Sequence, residues 1–204
     1  MSFQGTTALV VGAATGIGRA TALAFAEAGA NLALADIDER MTETADLARD
    51  LGANVTTHPV DVRLSASVRT MVAQVAHEHG RIHVAFNNAG IMPPRGRLAD
   101  ATDEEWERVI QVDLSGVFHC LREQIRHMVG AGGGSIINTA SIAGIRSGDR
   151  LGTYAAAKHG VVGLTKAAAV DYAPDGVRVN AVAPGLIRTP MTDAWFADPE
   201  QAAA

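Results

Sequence analysis

A single cysteine, Cys120, stands in the 204 residues. That excludes a disulfide framework and a cysteine-built metal site, and it suits a reducing, cytoplasmic location. No apolar stretch approaches the roughly 18 residues that a membrane span needs. The N-terminus, MSFQGTTALVVG, enters a strand-like run at once, with no charged or apolar leader before it. Long runs of one charge sign are absent too. The net charge of -5 argues against nucleic acid or an acidic membrane surface as the main partner. Internal repeats and low-complexity linkers are missing, and the length suits one domain, 1–204.

What is present is an alternation of short apolar runs and longer helical ones. TTALVVG (6–12), NLALAD (31–36), NVTTHPVD (54–61), HVAFNNAG (83–90), SIINTAS (135–141) and RVNAVAPG (178–185) read as strands. Pro59 weakens the third near its end. Helices are expected over 16–29, 37–52 and 65–80, over a long or broken region at 102–129, and around YAAAK at 154–158. Thr102 and Glu105 form a capping-box pattern. The alternation predicts βαβ units and an α/β fold: a Rossmann-like, doubly wound parallel sheet of six strands in three α/β/α layers. Ligands bind such sheets at the carboxyl ends of the strands. Gly12, Asp36, Asp61, Asn87, Ser141 and Pro184 stand there, so they should line one crevice.

VVGAATGIG (10–18) places Gly12, Gly16 and Gly18 between the first strand and its helix. Glycine lets a backbone approach a phosphate closely, and a helix N-terminus offers free N–H groups. The plain alternative is an ordinary tight turn. Asp36 follows at the end of the second strand, placed to accept hydrogen bonds from an adenosine ribose or to cap the next helix. A 2′-phosphate about 5 Å from that carboxylate would cost several kcal/mol. No Arg or Lys lies inside the glycine loop or directly after Asp36, and Arg40 is the nearest downstream cation. The reading is therefore NAD rather than NADP.

GAATGIG (12–18), DV (61–62), NNAG (87–90), Ser141, YAAAK (154–158) and PGLIRT (184–189) occur in this order. The sequence thereby resembles the short-chain dehydrogenase/reductase family over essentially its whole length. The resemblance implies that Gly12, Gly16, Ile17 and Gly18 meet the cofactor phosphates. It puts Asp36 on the adenosine ribose, Asp61 and Val62 on the adenine, and Asn87, Ala89 and Gly90 in the turn near the ribose. Pro184, Gly185, Ile187 and Thr189 would serve the nicotinamide end. Ser141, Tyr154 and Lys158 would be the catalytic core, with Tyr154 and Lys158 also on the cofactor. The implied reaction interconverts a secondary alcohol and a ketone. Positions 154 and 158 share one helix face. A lysine charge about 4 Å away could supply the roughly 4 kcal/mol that brings a phenol toward neutral pH.

Two departures from the family pattern stand out. Asp113, in VIQVDLSGVF, occupies a position where the family usually has Asn. An ionised Asp113 should hold Lys158 protonated and offset its pull on Tyr154, so that Tyr154 titrates higher than beside an amide; the bland alternative is a helix cap. The family also commonly continues through a further helix and a seventh strand, missing here, which makes 186–204 a partial substrate lid with Trp195 and Phe196 in it. Two rival readings stay open: a cofactor-binding protein with little turnover, and a related isomerase or lyase. His77 and His79 should face apart, so no metal site is expected. The loops 91–97 and 142–150 are expected to shape substrate choice. A homodimer or homotetramer packed through the YAAAK and 113–129 helices is what the resemblance implies.

Overall fold

A computed structural model describes residues 2–193 and 196. Trp195 and most of the expected lid lie outside those residues. Six strands form one sheet: β1 Thr7–Val11, β2 Asn31–Asp36, β3 Val55–Pro59, β4 Val84–Asn87, β5 Gly134–Thr139 and β6 Val177–Val182. All neighbours are parallel, and the order is β3-β2-β1-β4-β5-β6. The direction of travel reverses between β1 and β4, where a crevice opens at the strand ends.

The helices are α1 Gly16–Glu27, α2 Met41–Asp50, α3 Ser65–His79, α4 Asp103–Ile110, α5 Gly116–Gly130 and α6 Gly152–Tyr172. They cover both faces. Ala8, Val10, Leu32 and Leu34 point to the layer holding α1 and α2. Leu9, Val11, Ala33 and Ala35 point to the layer of α3, α5 and α6. This two-sided burial is why the strands read as continuous apolar runs rather than alternating ones. Pro59 ends β3 at the sheet edge, where a missing N–H does least harm.

The region expected as one long or broken helix is broken. Between α4 and α5 lies one wide, π-helical turn, Gln111–Ser115. Such turns push a side chain out of register, and Asp113 sits at the centre of this one. Gly116 opens α5 because a Cβ there would come within 2.8 Å of Val62 Cγ2. The expected capping box is half made. Thr102 Oγ1 accepts the Glu105 N–H at 3.2 Å. The Glu105 carboxylate accepts from Thr153 Oγ1 of α6 at 3.2 Å, tying α4 to the helix that carries YAAAK. Among the described residues, no helix is long and apolar enough to cross a membrane.

Candidate active site

One cavity of about 1030 Å³ runs along the carboxyl ends of the strands. Its lining includes Gly12, Gly16, Ile17, Asp36, Asp61 and Val62 at one end. At the other end stand Ser141, Tyr154, Lys158, Pro184, Ile187 and Thr189. Ala89, Gly90, Asp113 and Gly185 also line it.

Two expected members are placed differently. Asn87 does not face the cavity; its side chain is buried and bonded to Gln124 at 2.9 Å and Asn138 at 2.9 Å. Strand alternation explains this, because successive side chains leave opposite faces and the next residue turns into the crevice instead. Asn88 takes the place, donating to Gly12 O at 3.1 Å and accepting from Thr139 Oγ1 at 3.2 Å. The doubled Asn in NNAG was the available signal. Gly18 lies behind the cavity wall. A Cβ there would collide with the carbonyl oxygen of Gly12, so this glycine lets α1 start directly beneath the turn. Gly12 itself has φ +84°, and a Cβ on it would meet the Ala89 backbone nitrogen.

Asp36 braces the loop. One carboxylate oxygen accepts the Ala14 N–H at 2.8 Å and the other the Asp38 N–H at 3.0 Å. Thr15, ahead of α1, makes no side-chain cap, which leaves first-turn N–H groups facing the crevice. Arg19, just past the loop, points away: its Nε donates to Ala14 O at 3.0 Å and its guanidinium pairs with Glu43 at 2.9 Å. Asp61 pairs with Arg63 at 2.7 Å, and this bonding holds its carboxyl below the usual range.

At the catalytic end, Tyr154 and Lys158 share the inner face of α6, and Lys158 Nζ lies 5.4 Å from the Tyr154 ring centre. Lys158 Nζ donates to Thr139 O at 3.1 Å and stands 3.3 Å from Asp113 Oδ2. Both charged side chains are almost fully buried, at 3% and 0% exposure. Asp113 Oδ1 accepts the Ile91 N–H at 2.8 Å, while Oδ2 accepts no hydrogen bond. Burial raises the Asp113 carboxyl above its usual range, although Lys158 and the Ile91 N–H pull the other way. Asp113 is thus an ion-pair partner rather than a helix cap.

Lys158 pulls the Tyr154 phenol down as expected, but burial outweighs it. The phenol is raised, first by burial; Lys158 lowers it, Asp113 raises it again, and a hydrogen bond with Ser141 lowers it. Ser141 Oγ also accepts the Ala143 N–H at 3.1 Å, which fixes the turn after β5. Past β6, Thr192 Oγ1 donates to Ile187 O at 2.6 Å and accepts the Thr189 N–H at 3.0 Å. Sequence reading missed this clasp, which sets Ile187 and Thr189 against the crevice. Among the described residues no group of three metal-ligating side chains occurs. His79 instead shares the Thr56 hydroxyl with His58, at 2.9 and 2.8 Å.

The sequence model described as enoyl-(acyl carrier protein) reductase matches residues 12–204. The cyclohexanol dehydrogenase of Acinetobacter sp. (strain SE19) is 40% identical over 190 residues, covering 93% of this chain and 76% of that protein. The chain belongs to the short-chain dehydrogenase/reductase family. Within this family of oxidoreductases it also resembles the cis-4-hydroxycyclohexanecarboxylate dehydrogenase of Sinomonas cyclohexanicum, 42% identical over 97% of this chain and 79% of that one. Among solved structures, NAD+-bound xylitol dehydrogenase superposes with a TM-score of 0.89 at 35% identity, covering 91% of this chain and 72% of its own. The motifs therefore sit on a fold shared with a solved relative, and the candidate catalytic groups line one cleft.

Proposed function

We propose that this protein is an NAD-dependent oxidoreductase that interconverts a small secondary alcohol and its ketone, with Tyr154 as the general acid and base. One observation carries the reading: a single cavity joins the glycine loop and Asp36 to Ser141, Tyr154 and Lys158. Three features fit a dinucleotide. Gly12 and Gly18 leave no room for a Cβ beside the turn, so the backbone itself forms the cradle. The first-turn N–H groups of α1 suit a pyrophosphate. Asp36 has carboxylate lone pairs left for a ribose, and the neighbouring cations Arg19 and Arg40 are engaged by Glu43 and Asp38. Neither of these two cations beside Asp36 is free for a 2′-phosphate, which favours NAD. NAD+-bound xylitol dehydrogenase, a similar structure, supports the same choice.

Bound NAD+ supplies the hydride acceptor for the carbinol carbon. The rest falls to this chain. Ser141 Oγ orients the substrate oxygen. Tyr154 as phenolate takes the hydroxyl proton as the carbonyl forms, and as phenol returns it in reduction. Lys158 holds positive charge beside the phenol and favours its ionised form. The buried Asp113 fixes Lys158 through the 3.3 Å contact. Because burial and Asp113 leave the phenol raised, oxidation should be favoured on the alkaline side.

The test is NADH formation with a panel of secondary alcohols. Turnover by the wild type and a loss of about 10²–10⁴-fold in Tyr154→Phe, with NAD affinity kept, is the expected result. Tight NAD binding with no turnover on any alcohol would favour a binding protein. Product formed without net NADH would favour an isomerase or lyase.

A further inference from the structure

The charged side chains lining the cavity are almost all neutralised. Asp38 pairs with Arg40 at 2.6 Å and Asp61 with Arg63 at 2.7 Å. Asp113 pairs with Lys158 at 3.3 Å, and Asp149 lies 3.7 Å from Arg150. Asp36 accepts two backbone N–H groups. Two cations are left over. Arg108, in the last turn of α4, and Arg146, in the loop after β5, both line the cavity. Neither side chain makes an ion pair or hydrogen bond with any described residue.

Arg108 precedes the turn that holds Asp113, and Arg146 follows the turn that Ser141 opens, so both stand on elements of the Tyr154 end. The floor there is apolar, with Met92, Ala143, Leu151 and Tyr154 packed together. The loop carrying Arg146 is held in place. Its N–H donates to Ile142 O at 2.9 Å, and the Gly96 N–H donates to Arg150 O at 3.1 Å, joining the 91–97 loop to it. The cofactor phosphates belong at the other end, against the glycine turn. Two exposed, unpaired arginines that line the same cavity as this apolar floor suit a ligand with an apolar body and an anionic tail. A guanidinium fork matches a carboxylate in a two-point contact that a neutral group cannot reproduce.

We infer that the preferred substrate is a hydroxy acid or keto acid, an apolar skeleton whose carboxylate is received by Arg108 and Arg146 while its carbinol faces Tyr154. The inference rests on the oxidoreductase reading for its reaction, but its binding test does not. Cyclohexanecarboxylate has no hydroxyl and cannot be oxidised as a carbinol. Its affinity for the NAD-loaded protein is compared with that of cyclohexanecarboxamide by equilibrium titration, in wild type, Arg108→Gln and Arg146→Gln. The wild type should prefer the acid, and each variant should lower the acid-to-amide ratio by about tenfold. Equal binding of acid and amide by the wild type overturns the inference. So does an unchanged ratio in both variants, or a loss that appears in NAD affinity instead, which would assign the arginines to the cofactor phosphates. In parallel, 4-hydroxycyclohexanecarboxylate and its methyl ester are tested for NADH formation. Oxidation of the ester as readily as the acid would sink the acid preference while leaving the oxidoreductase reading intact.

Discussion

The two ends of the cleft hold the same ingredients, carboxylates beside cations, and use them in opposite ways. At the adenosine end, Asp38 and Asp61 pair with arginines close to water. Bonding to Arg40 takes the Asp38 carboxyl down to about 2, and bonding to Arg63 lowers Asp61. At the catalytic end, the Asp113–Lys158 pair is shut inside the protein, and burial drives the Asp113 carboxyl up despite the adjacent lysine. Water solvates the first kind of pair whether or not the partner is present, so the pair changes little. In the second kind neither member can be removed without leaving the other exposed to a low dielectric. On the proposed reading, the glycine-loop end recognises through backbone shape and the Tyr154 end through buried charge. A methyl group should damage the first, and the loss of one charge the second.

The largest effect is expected at the glycine turn. Gly18→Ala drives a Cβ into the carbonyl oxygen of Gly12, a backbone atom held by the Gly12 N–H bond to Ala35 O at 2.7 Å. Neither partner can yield without moving α1. Destabilisation of about 3 kcal/mol should follow, together with weakened NAD binding. Chemical denaturation of the variant, followed by NAD titration below its midpoint, reads both. Wild-type stability in Gly18→Ala would mean that the turn is softer than its packing implies.

Asp113→Asn tests the other end with a change of almost no volume. The amide keeps an acceptor for the Ile91 N–H. It removes the negative charge that raises Tyr154, so the phenolate should form at lower pH. Alcohol oxidation needs the phenolate, and its pH limb should move toward acid. The pH dependence of kcat/KM measures it. An unmoved limb, or one displaced toward alkali, would mean that the net influence of Asp113 passes through Lys158 rather than directly to the phenol.

How far the sequence revealed the site differs between the ends as well. The glycine loop was readable because its chemistry is local: turn, helix start and acid lie within one βαβ unit. All six strands were legible for a similar reason, since burial on both faces leaves an apolar run with little competing pattern. The catalytic end depends on elements far apart in the chain. That Asp113 contacts Lys158 directly follows from the π-helical turn at Gln111–Ser115, which helical periodicity does not announce. The raised Tyr154 follows from burial, which spacing on one helix cannot weigh. Asn87 and Asn88 exchanged roles because alternation along β4 turns the side chain of Asn87, its last residue, away from the crevice and leaves Asn88 to face it. The Thr192 clasp could not be read because it lies past the last strand, outside any periodic element.

Asp36→Asn probes cofactor choice at the wet end. The amide oxygen can still accept the Ala14 N–H and so keep the glycine loop tied, while the Asp38 N–H loses its acceptor. What disappears is the charge that repels a 2′-phosphate. Preference for NAD over NADP, taken as the ratio of the two dissociation constants, should narrow by about tenfold or more. An unchanged ratio would show that the shape of the pocket excludes the phosphate without help from Asp36.

The smallest effect is expected two residues further on. Asp38→Asn removes a carboxylate that meets Arg40 at 2.6 Å, shorter than the Asp113–Lys158 contact. Distance alone would rank this pair as the stronger. Solvent reverses the ranking, because Arg40 regains water when its partner is lost. The melting temperature at neutral pH should barely change. The sign is fixed as well. A carboxyl depressed in the folded state contributes stability above its unfolded value, near 3.8, and loses it as the pH falls through about 2. Whatever small difference separates wild type and variant at neutral pH should therefore shrink as the pH falls toward 2 and vanish below it rather than grow. A large loss at pH 7 would place the pair among the supports of the loop at 36–40, and the contrast between the two ends would no longer be one of wet against dry.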